Sequence, residues 1–99
     1  MMNKMRAIHP GEIIKQEYLE PLGMSVNALA MALRVPTPRI NDVVRGKWSV
    51  SVDTALHLAR YFNTSPQFWL NLQTSYDLKI AEKGIASIEH EILPLQVAG

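Results

Sequence analysis

The stretch that decides the fold runs from residue 29 to residue 47 and reads Leu29-Ala30-Met31-Ala32-Leu33-Arg34-Val35-Pro36-Thr37-Pro38-Arg39-Ile40-Asn41-Asp42-Val43-Val44-Arg45-Gly46-Lys47. Two short apolar helix patterns meet there at a break before Pro36, because a residue that precedes proline is disfavoured in helical geometry. The second pattern leaves a row of hydrogen-bonding and basic side chains on its outer face. This arrangement predicts a helix-turn-helix whose second helix reads DNA.

The distribution of charge points to the same stretch, although the total charge does not. The chain has 99 residues and a formal net charge of only +1. The balance is +3 from Arg34 to Lys47 and −2 from Tyr61 to Gly99. Basic charge is therefore concentrated on the motif, which favours a DNA-binding surface, although an ordinary solvated face carries charge in the same way.

The composition predicts one soluble, cytoplasmic domain. A chain of 99 residues is long enough to bury one modest core, so we expect a single domain with its core at about 9–84 and a C-terminal extension at 85–99. The absence of cysteine excludes disulfides, thiolate metal ligands and a cysteine nucleophile. No apolar run approaches the roughly 18 residues of a membrane span, so no membrane partner is expected.

Caps and breakers divide the chain into short helices, which predicts an all-α fold. The first helix begins at Pro10, includes Leu19 and is ended by Pro21 and Gly23. The second helix stops near Arg34, before the break. Serines suit the caps of the second, fourth and fifth helices, at Ser25, Ser51 and Ser65.

The third helix begins at Thr37 or Pro38 and supplies the candidate base contacts. Its apolar positions turn inward, and these are Ile40, Val43 and Val44. An α-helical pitch then leaves nearest the groove Thr37, Pro38, Asn41 and Asp42. Asn41 suits a paired hydrogen bond to adenine, and Arg39 suits guanine or a phosphate.

Further candidate contacts lie at the edges of the motif. Arg45 and Lys47 suit phosphate contacts, which add affinity but little sequence information. Ser25 and Asn27, at the start of the second helix, are candidate contacts to the DNA backbone. From the residues alone, two other interpretations stay open. In one, Arg39 forms a surface ion pair with Asp42 and the helices are only a bundle. In the other, the chain is a helical protein-interaction module whose basic helix meets an acidic partner.

Segments beyond the motif carry a family resemblance. The order Leu29-Ala30, Leu33, Val35, Ile40, Gly46 resembles the Cro/C1-type helix-turn-helix. The flanks that match are His9-Pro10-Gly11-Glu12, Pro36-Thr37-Pro38-Arg39-Ile40, Val44-Arg45-Gly46-Lys47, Asp53-Thr54-Ala55-Leu56, Leu58-Ala59 and Thr64-Ser65-Pro66-Gln67-Phe68-Trp69-Leu70-Asn71-Leu72-Gln73. Over roughly residues 9–73, the chain resembles the HigA antitoxin family.

The resemblance implies a five-helix, lambda-repressor-like fold and a homodimer that binds a palindromic operator in double-stranded DNA. It also implies a HigB-type toxin partner, an RNA-cleaving protein that the antitoxin neutralises. The recognition helix of the family corresponds here to Thr37, Pro38, Arg39, Asn41 and Asp42. A stand-alone regulator of this fold, with no toxin, remains an alternative. Arg34 departs from the pattern, because such motifs commonly have glycine at this turn.

Other chemistry is not indicated. The three histidines, at positions 9, 57 and 90, have no second ligand at a suitable spacing, so we expect no metal site, no cofactor and no enzymatic activity. His9, together with Glu12, is expected to organise the start of the first helix. Core packing under the third helix is favoured for Trp48 over stacking against a sugar-phosphate strand. The segment Ile85–Val97 is richer in aliphatics than a free tail needs, so we expect something to cover it.

Overall fold

The computed structural model describes residues 6–96, which form helices and connecting turns and contain no strand. Helix α1 consists of an α-helical turn Pro10–Ile13, a π-helical segment Ile14–Leu19 and a last α-helical turn Glu20–Leu22. The other helices are α2 (Val26–Leu33), α3 (Thr37–Val44), α4 (Val52–Phe62), α5 (Pro66–Ala81) and α6 (Ile85–Glu91), with a 3₁₀ turn Glu82–Gly84 between the last two. The all-α fold is thus confirmed, whereas the end of the predicted C-terminal extension, beyond residue 96, lies outside the described residues.

The prediction that Pro21 ends the first helix is wrong. The helix continues to Leu22 and ends at Gly23, which has a left-handed φ of 63°. Proline lacks an N–H and clashes with the carbonyl four residues earlier in a regular α-helix. Here a π-helical segment precedes Pro21, and the N–H of Glu20 donates to Lys15, five residues back. The wider turn makes room for the proline ring.

The predicted serine caps are confirmed. Each serine hydroxyl accepts a hydrogen bond from the backbone N–H three residues on: Ser25 from Ala28 at 3.0 Å, Ser51 from Thr54 at 3.1 Å and Ser65 from Phe68 at 3.1 Å. Such a bond satisfies one of the backbone donors that a helix leaves unpaired at its start, and it stabilises the helix by about 1 kcal/mol. The starts of α2, α4 and α5 are therefore set by local sequence.

A residue with left-handed backbone follows each of helices α1 to α4 within two positions, and these residues are Gly23, Arg34, Gly46 and Asn63. At the end of α2, the N–H of Val35 donates to Ala30 and that of Arg34 to Met31, both at 3.1 Å. This pair of bonds is the Schellman arrangement, which favours glycine or asparagine at the left-handed position. The turn of the helix-turn-helix is thus built on an arginine with φ 61°, a conformation that costs a residue with a β-carbon about 1–2 kcal/mol.

The core lies between α1 to α5. Its largest fully buried side chains include Trp69, Ile14, Leu29, Ile40 and Leu58. The indole of Trp69 donates to the hydroxyl of Thr64 at 2.8 Å, so its polar edge is satisfied. The predicted inward positions of the third helix are confirmed, because Ile40 and Val43 are buried and Val44 is half-buried.

The end of α5 and all of α6 leave apolar side chains in solvent. Near the start of α5 Trp69 is fully buried, whereas Ile80, near its end, is 55% exposed. The exposed aliphatics that follow are Ile85, Ile88, Ile92, Leu93 and Leu95. Within residues 6–96, no part of the chain covers them. The helices of this range also include none long and apolar enough to cross a lipid bilayer.

Candidate nucleic-acid interface

Helix α3 is held at its C-terminal end by an unusually close helix contact. A β-carbon on Gly11 would lie 2.1 Å from the carbonyl oxygen of Val43 and 2.7 Å from that of Val44. Real β-carbons do not approach backbone that closely, so the packing of α1 on α3 requires glycine at position 11. Residue 11 therefore helps to set how far α3 stands out from the helical body.

The chain leaves α3 through a second Schellman turn. The N–H of Gly46 donates to Val43 at 3.0 Å and the N–H of Lys47 donates to Asp42 at 2.8 Å. Gly46 has φ 77°, the left-handed conformation that favours glycine after a helix. Downstream, the N–H of Val50 donates to the buried side chain of Gln73 at 2.8 Å, which ties the connection between α3 and α4 to α5.

His9 joins three of these elements. Its Nδ1 accepts a hydrogen bond from the N–H of Gly11 at 2.9 Å, which caps α1 and confirms the predicted role of His9 at the helix start. The ring also packs edge-on against Tyr76 of α5, with 4.9 Å between ring centroids. Burial lowers the pKa of His9, and a backbone hydrogen bond to Trp48 and the charges of Asp77 and Glu12 offset part of that effect.

The predicted contact residues lie around the outer half of α3 rather than on one line. At 100° per residue, Pro38, Asp42 and Arg45 project away from the core, and Thr37 and Arg39 leave the helix on opposite edges. Pro38, Arg45 and Lys47 are exposed, and Thr37, Arg39, Asn41 and Asp42 are half-buried. Helix α3 thus presents a polar outer face with a basic C-terminal end.

One edge of this face opens into a groove of about 500 Å³. Three of the predicted contact residues line it, namely Ser25, Asn41 and Arg45. Lys15 of α1 lies in the same groove, and so does Glu20. The structure therefore brings the start of α2 beside the C-terminal half of α3, and it adds a basic residue that the sequence analysis did not single out.

Two further candidate contacts, Thr37 and Asn27, are hydrogen-bonded to each other. The hydroxyl of Thr37 donates to the side-chain oxygen of Asn27 at 2.8 Å. This bond joins the first turn of α2 to the first turn of α3. The side-chain amide nitrogen of Asn27 donates to the sulfur of Met31 at 3.8 Å.

Arg39 lies on the opposite edge and is bound to α4. Its Nη2 donates to the carboxylate of Asp53 at 2.5 Å and to the hydroxyl of Thr54 at 2.9 Å. The hydrogen bond from Arg39 is the main reason why the pKa of Asp53 lies below its usual value. The alternative pairing of Arg39 with Asp42 is therefore wrong, because the ion pair that forms is with Asp53.

The expectation that Trp48 packs in the core is also wrong. The residue is 67% exposed, beside the end of α3. The Schellman turn that ends α3 directs the chain outward, and the N–H of Trp48 donates to the carbonyl of Asp42 at 3.2 Å. Among residues 6–96, no cluster of three or more histidine, aspartate or glutamate side chains is arranged to hold a metal ion.

No positioning role at the site was assigned from the sequence to Gly11, Lys15, Asp53, Thr54 or Gln73, although all but Lys15 lie in segments that carry the family resemblance. Asp53 lies in the first turn of α4, where a negative charge is favourable without any partner. The sequence indicates that Arg39 needs an acidic partner, but it does not distinguish Asp53 from Asp42, which is only three residues away. The approach of Gly11 to Val43 has no signal in a single sequence.

An exposed polar helix, set across a tight turn from a capped helix and backed by three more, defines a helix-turn-helix protein. Residues 15–69 match the helix-turn-helix family. The chain is 55% identical to virulence-associated protein I of Dichelobacter nodosus over 93 residues. The aligned region covers 94% of this chain and 85% of that protein.

Solved structures narrow the class. The structure of an addiction module antidote protein of a HigA family from Coxiella burnetii matches at a TM-score of 0.86 and 48% identity, over 92% of this chain and all of that one. The Pseudomonas aeruginosa antitoxin HigA, solved with the higBA promoter, matches at a TM-score of 0.86 and 49% identity, over 92% of this chain and 100% of the other. The chain belongs to the HigA antitoxin family of helix-turn-helix transcriptional regulators.

Proposed function

We propose that this chain binds, as a homodimer, a palindromic operator in double-stranded DNA and represses its own operon. The observation that carries the proposal is the outer face of α3, polar along its length and basic at its end, on a fold whose P. aeruginosa relative was solved with its promoter. The role requires no cofactor and no catalytic chemistry, and it places the protein in the cytoplasm with its DNA.

The proposed DNA surface comprises the residues selected from the sequence. Base contacts come from Thr37, Pro38, Arg39, Asn41 and Asp42. Phosphate contacts come from Arg45 and Lys47 at the end of α3 and from Ser25 and Asn27 at the start of α2. The groove that holds Ser25, Asn41 and Arg45 supports this division, because it brings the end of the base-reading helix beside a candidate backbone contact.

The dimer follows from the geometry of reading a palindrome. Two copies of α3 must enter successive major grooves on one side of the duplex, about 34 Å apart. A single domain of this size contacts too few phosphates to bind DNA tightly at physiological salt. The uncovered aliphatic residues of α6 and the segment after it, Ile88, Ile92, Leu93 and Leu95, supply the apolar contacts that protein partners require.

The second partner proposed is a HigB-type toxin, which the chain neutralises by forming a complex with it. Support comes from membership in the antitoxin family and from the same exposed aliphatic extension. Co-expression with the neighbouring small gene product and co-purification test this part. A stable complex is expected, and recovery of the chain without it assigns the protein to the stand-alone regulators of this fold.

Protection mapping on the DNA upstream of its own gene tests the DNA-binding part. We expect a footprint with two-fold symmetry and half-sites about one helical turn apart. The matched control is the same DNA with one half-site scrambled, which removes half of the symmetric protection. Failure to bind any duplex at low salt contradicts the proposal and favours a helical module that binds an acidic protein.

A further inference from the structure

Arg39 differs from the other candidate contacts because an ion pair holds its side chain on another helix, α4. Its Nε donates to the hydroxyl of Thr54 at 3.2 Å, and its Nη2 donates to Thr54 at 2.9 Å and to Asp53 at 2.5 Å. A guanidinium has five N–H donors in a rigid plane. Within residues 6–96, the two donors on Nη1 have no hydrogen-bond partner, and the Arg39 side chain is 35% exposed.

The groups that hold Arg39 are themselves held. Thr54 is buried, and its hydroxyl accepts a further bond from the hydroxyl of Ser51, the cap of α4, at 3.1 Å. Asp53 has His57 beside it, with Nδ1 of the imidazole 2.7 Å from the Asp53 carbonyl oxygen and 3.6 Å from its carboxylate. The first turn of α4 thus binds one edge of the guanidinium in a fixed position. The other edge, Nη1, is free to donate hydrogen bonds to DNA.

We propose that Asp53 and Thr54 are positioning residues for DNA reading, which fix Arg39 on the recognition helix so that its free edge meets one acceptor of the operator. The inference rests on the proposed DNA-binding function. An arginine held in one position can donate only to a base edge at that position. A mobile arginine can instead bind whichever phosphate is near. The expected consequence is a gain in discrimination between DNA sequences rather than in affinity for DNA as such.

The carboxylate of Asp53 has a second effect that the measurement must separate. Its negative charge repels every duplex, whatever the sequence, so its removal strengthens binding to operator and to scrambled DNA alike. The ratio of the two affinities cancels that effect. Loss of the restraint on one flexible side chain lowers the ratio by about 2- to 10-fold.

The experiment measures the ratio of operator affinity to scrambled-duplex affinity for the full chain at one salt concentration. Asp53→Asn and Thr54→Val are each expected to lower the ratio by about 2- to 10-fold. Thr54→Ser keeps the acceptor and restores the ratio. Glu17→Gln removes one negative charge from an exposed position of α1, outside the Arg39 cluster and outside the aliphatic partner surface, and serves as the charge-matched control.

The same variants in an Arg39→Gln background complete the test. If Asp53 acts through Arg39, Asp53→Asn has no effect on the ratio in that background. An effect that persists there, or a ratio that Asp53→Asn and Thr54→Val leave unchanged in a folded protein, overturns the inference while DNA binding stands. A wild-type chain that binds no duplex overturns the proposed function itself. Circular dichroism of each variant separates misfolding from loss of discrimination.

Discussion

Gly11 of α1 and Val43 of α3 are in contact through backbone alone, since a β-carbon at position 11 would lie 2.1 Å from the Val43 carbonyl oxygen. The first helix therefore supports the recognition helix without an intervening side chain. His9 caps that same end of α1 and lies beside Gly46 in the turn after α3, where an added β-carbon would be 3.7 Å from its imidazole. The start of one helix and the end of the other form a single joint, and the position of the DNA-reading face depends on it.

Substitution of Gly11 by alanine tests this joint. We expect Gly11→Ala to lower the free energy of unfolding by about 1–3 kcal/mol or more, because the added methyl group meets rigid backbone. The control is Gly84→Ala, where a β-carbon meets nothing within 4 Å. That variant should gain about 0.4–1 kcal/mol from a less flexible unfolded chain. Thermal unfolding measures both, and a Gly11→Ala protein that melts with the wild type contradicts the contact.

The turn between α2 and α3 carries strain at Arg34. We expect Arg34→Gly to stabilise the protein by about 0.5–1 kcal/mol, because glycine removes a left-handed penalty of about 1–2 kcal/mol and adds a smaller unfolded-state entropy cost. Asn63→Gly is the matched control at φ 57°, where asparagine is already tolerated. Urea denaturation distinguishes them, and equal shifts for the two variants would argue against strain at Arg34.

Base contacts and phosphate contacts differ in what they do to specificity. Asn41→Ala should cost about 1–3 kcal/mol on the operator and reduce discrimination between operator variants. Lys47→Ala should weaken binding to all DNA about equally and reduce the salt dependence by about one phosphate contact. Gel shifts over a series of salt concentrations measure both effects. If neither variant alters binding, α3 does not lie in the interface.

The buried histidine predicts a loss of stability in mild acid. Burial lowers the pKa of His9 below 6.5, so below that pH the unfolded chain binds a proton that the folded chain excludes. Stability is therefore full above pH 6.5 and falls as the pH drops from there through the folded pKa. His9→Asn keeps a cap acceptor and should flatten this part of the profile. His90→Gln on α6 is the control, and an unchanged slope in His9→Asn refutes the assignment.

Substitutions at the two tryptophans should differ strongly in their effect on the free energy of unfolding. Trp48→Ala is expected to change the free energy of unfolding by less than about 0.5 kcal/mol, since its side chain lies largely in solvent. Trp69→Phe leaves a smaller ring in a fully buried position and removes the hydrogen bond to Thr64, so it should destabilise clearly. Chemical denaturation compares them. A large loss in Trp48→Ala would place the indole in a packed environment after all.

Much of the fold was predictable because helix starts and ends depend on neighbours in the chain. The serine hydroxyls cap their helices through bonds that span three residues, at Ser25, Ser51 and Ser65. Gly46 adopts a left-handed conformation, which is open to glycine because it has no β-carbon. The inward positions Ile40 and Val43 follow from helical periodicity alone. The end of the first helix was predicted wrongly at Pro21, because proline ends most helices and the π-helical segment before it has no clear signal in the sequence.

The amino-acid sequence by itself determined the serine-capped helix starts, the inward positions of α3 and its polar outer face, because these depend on interactions within a few residues. The tertiary structure decided that Arg39 pairs with Asp53 rather than Asp42, that Trp48 faces solvent and that Gly11 touches the recognition helix. Each of these depends on how segments distant in the chain pack against one another, and local patterns carry no information about such distances. The helical periodicity shows which side chains face outward, but the packing of α1 and α4 on α3 decides what those side chains touch.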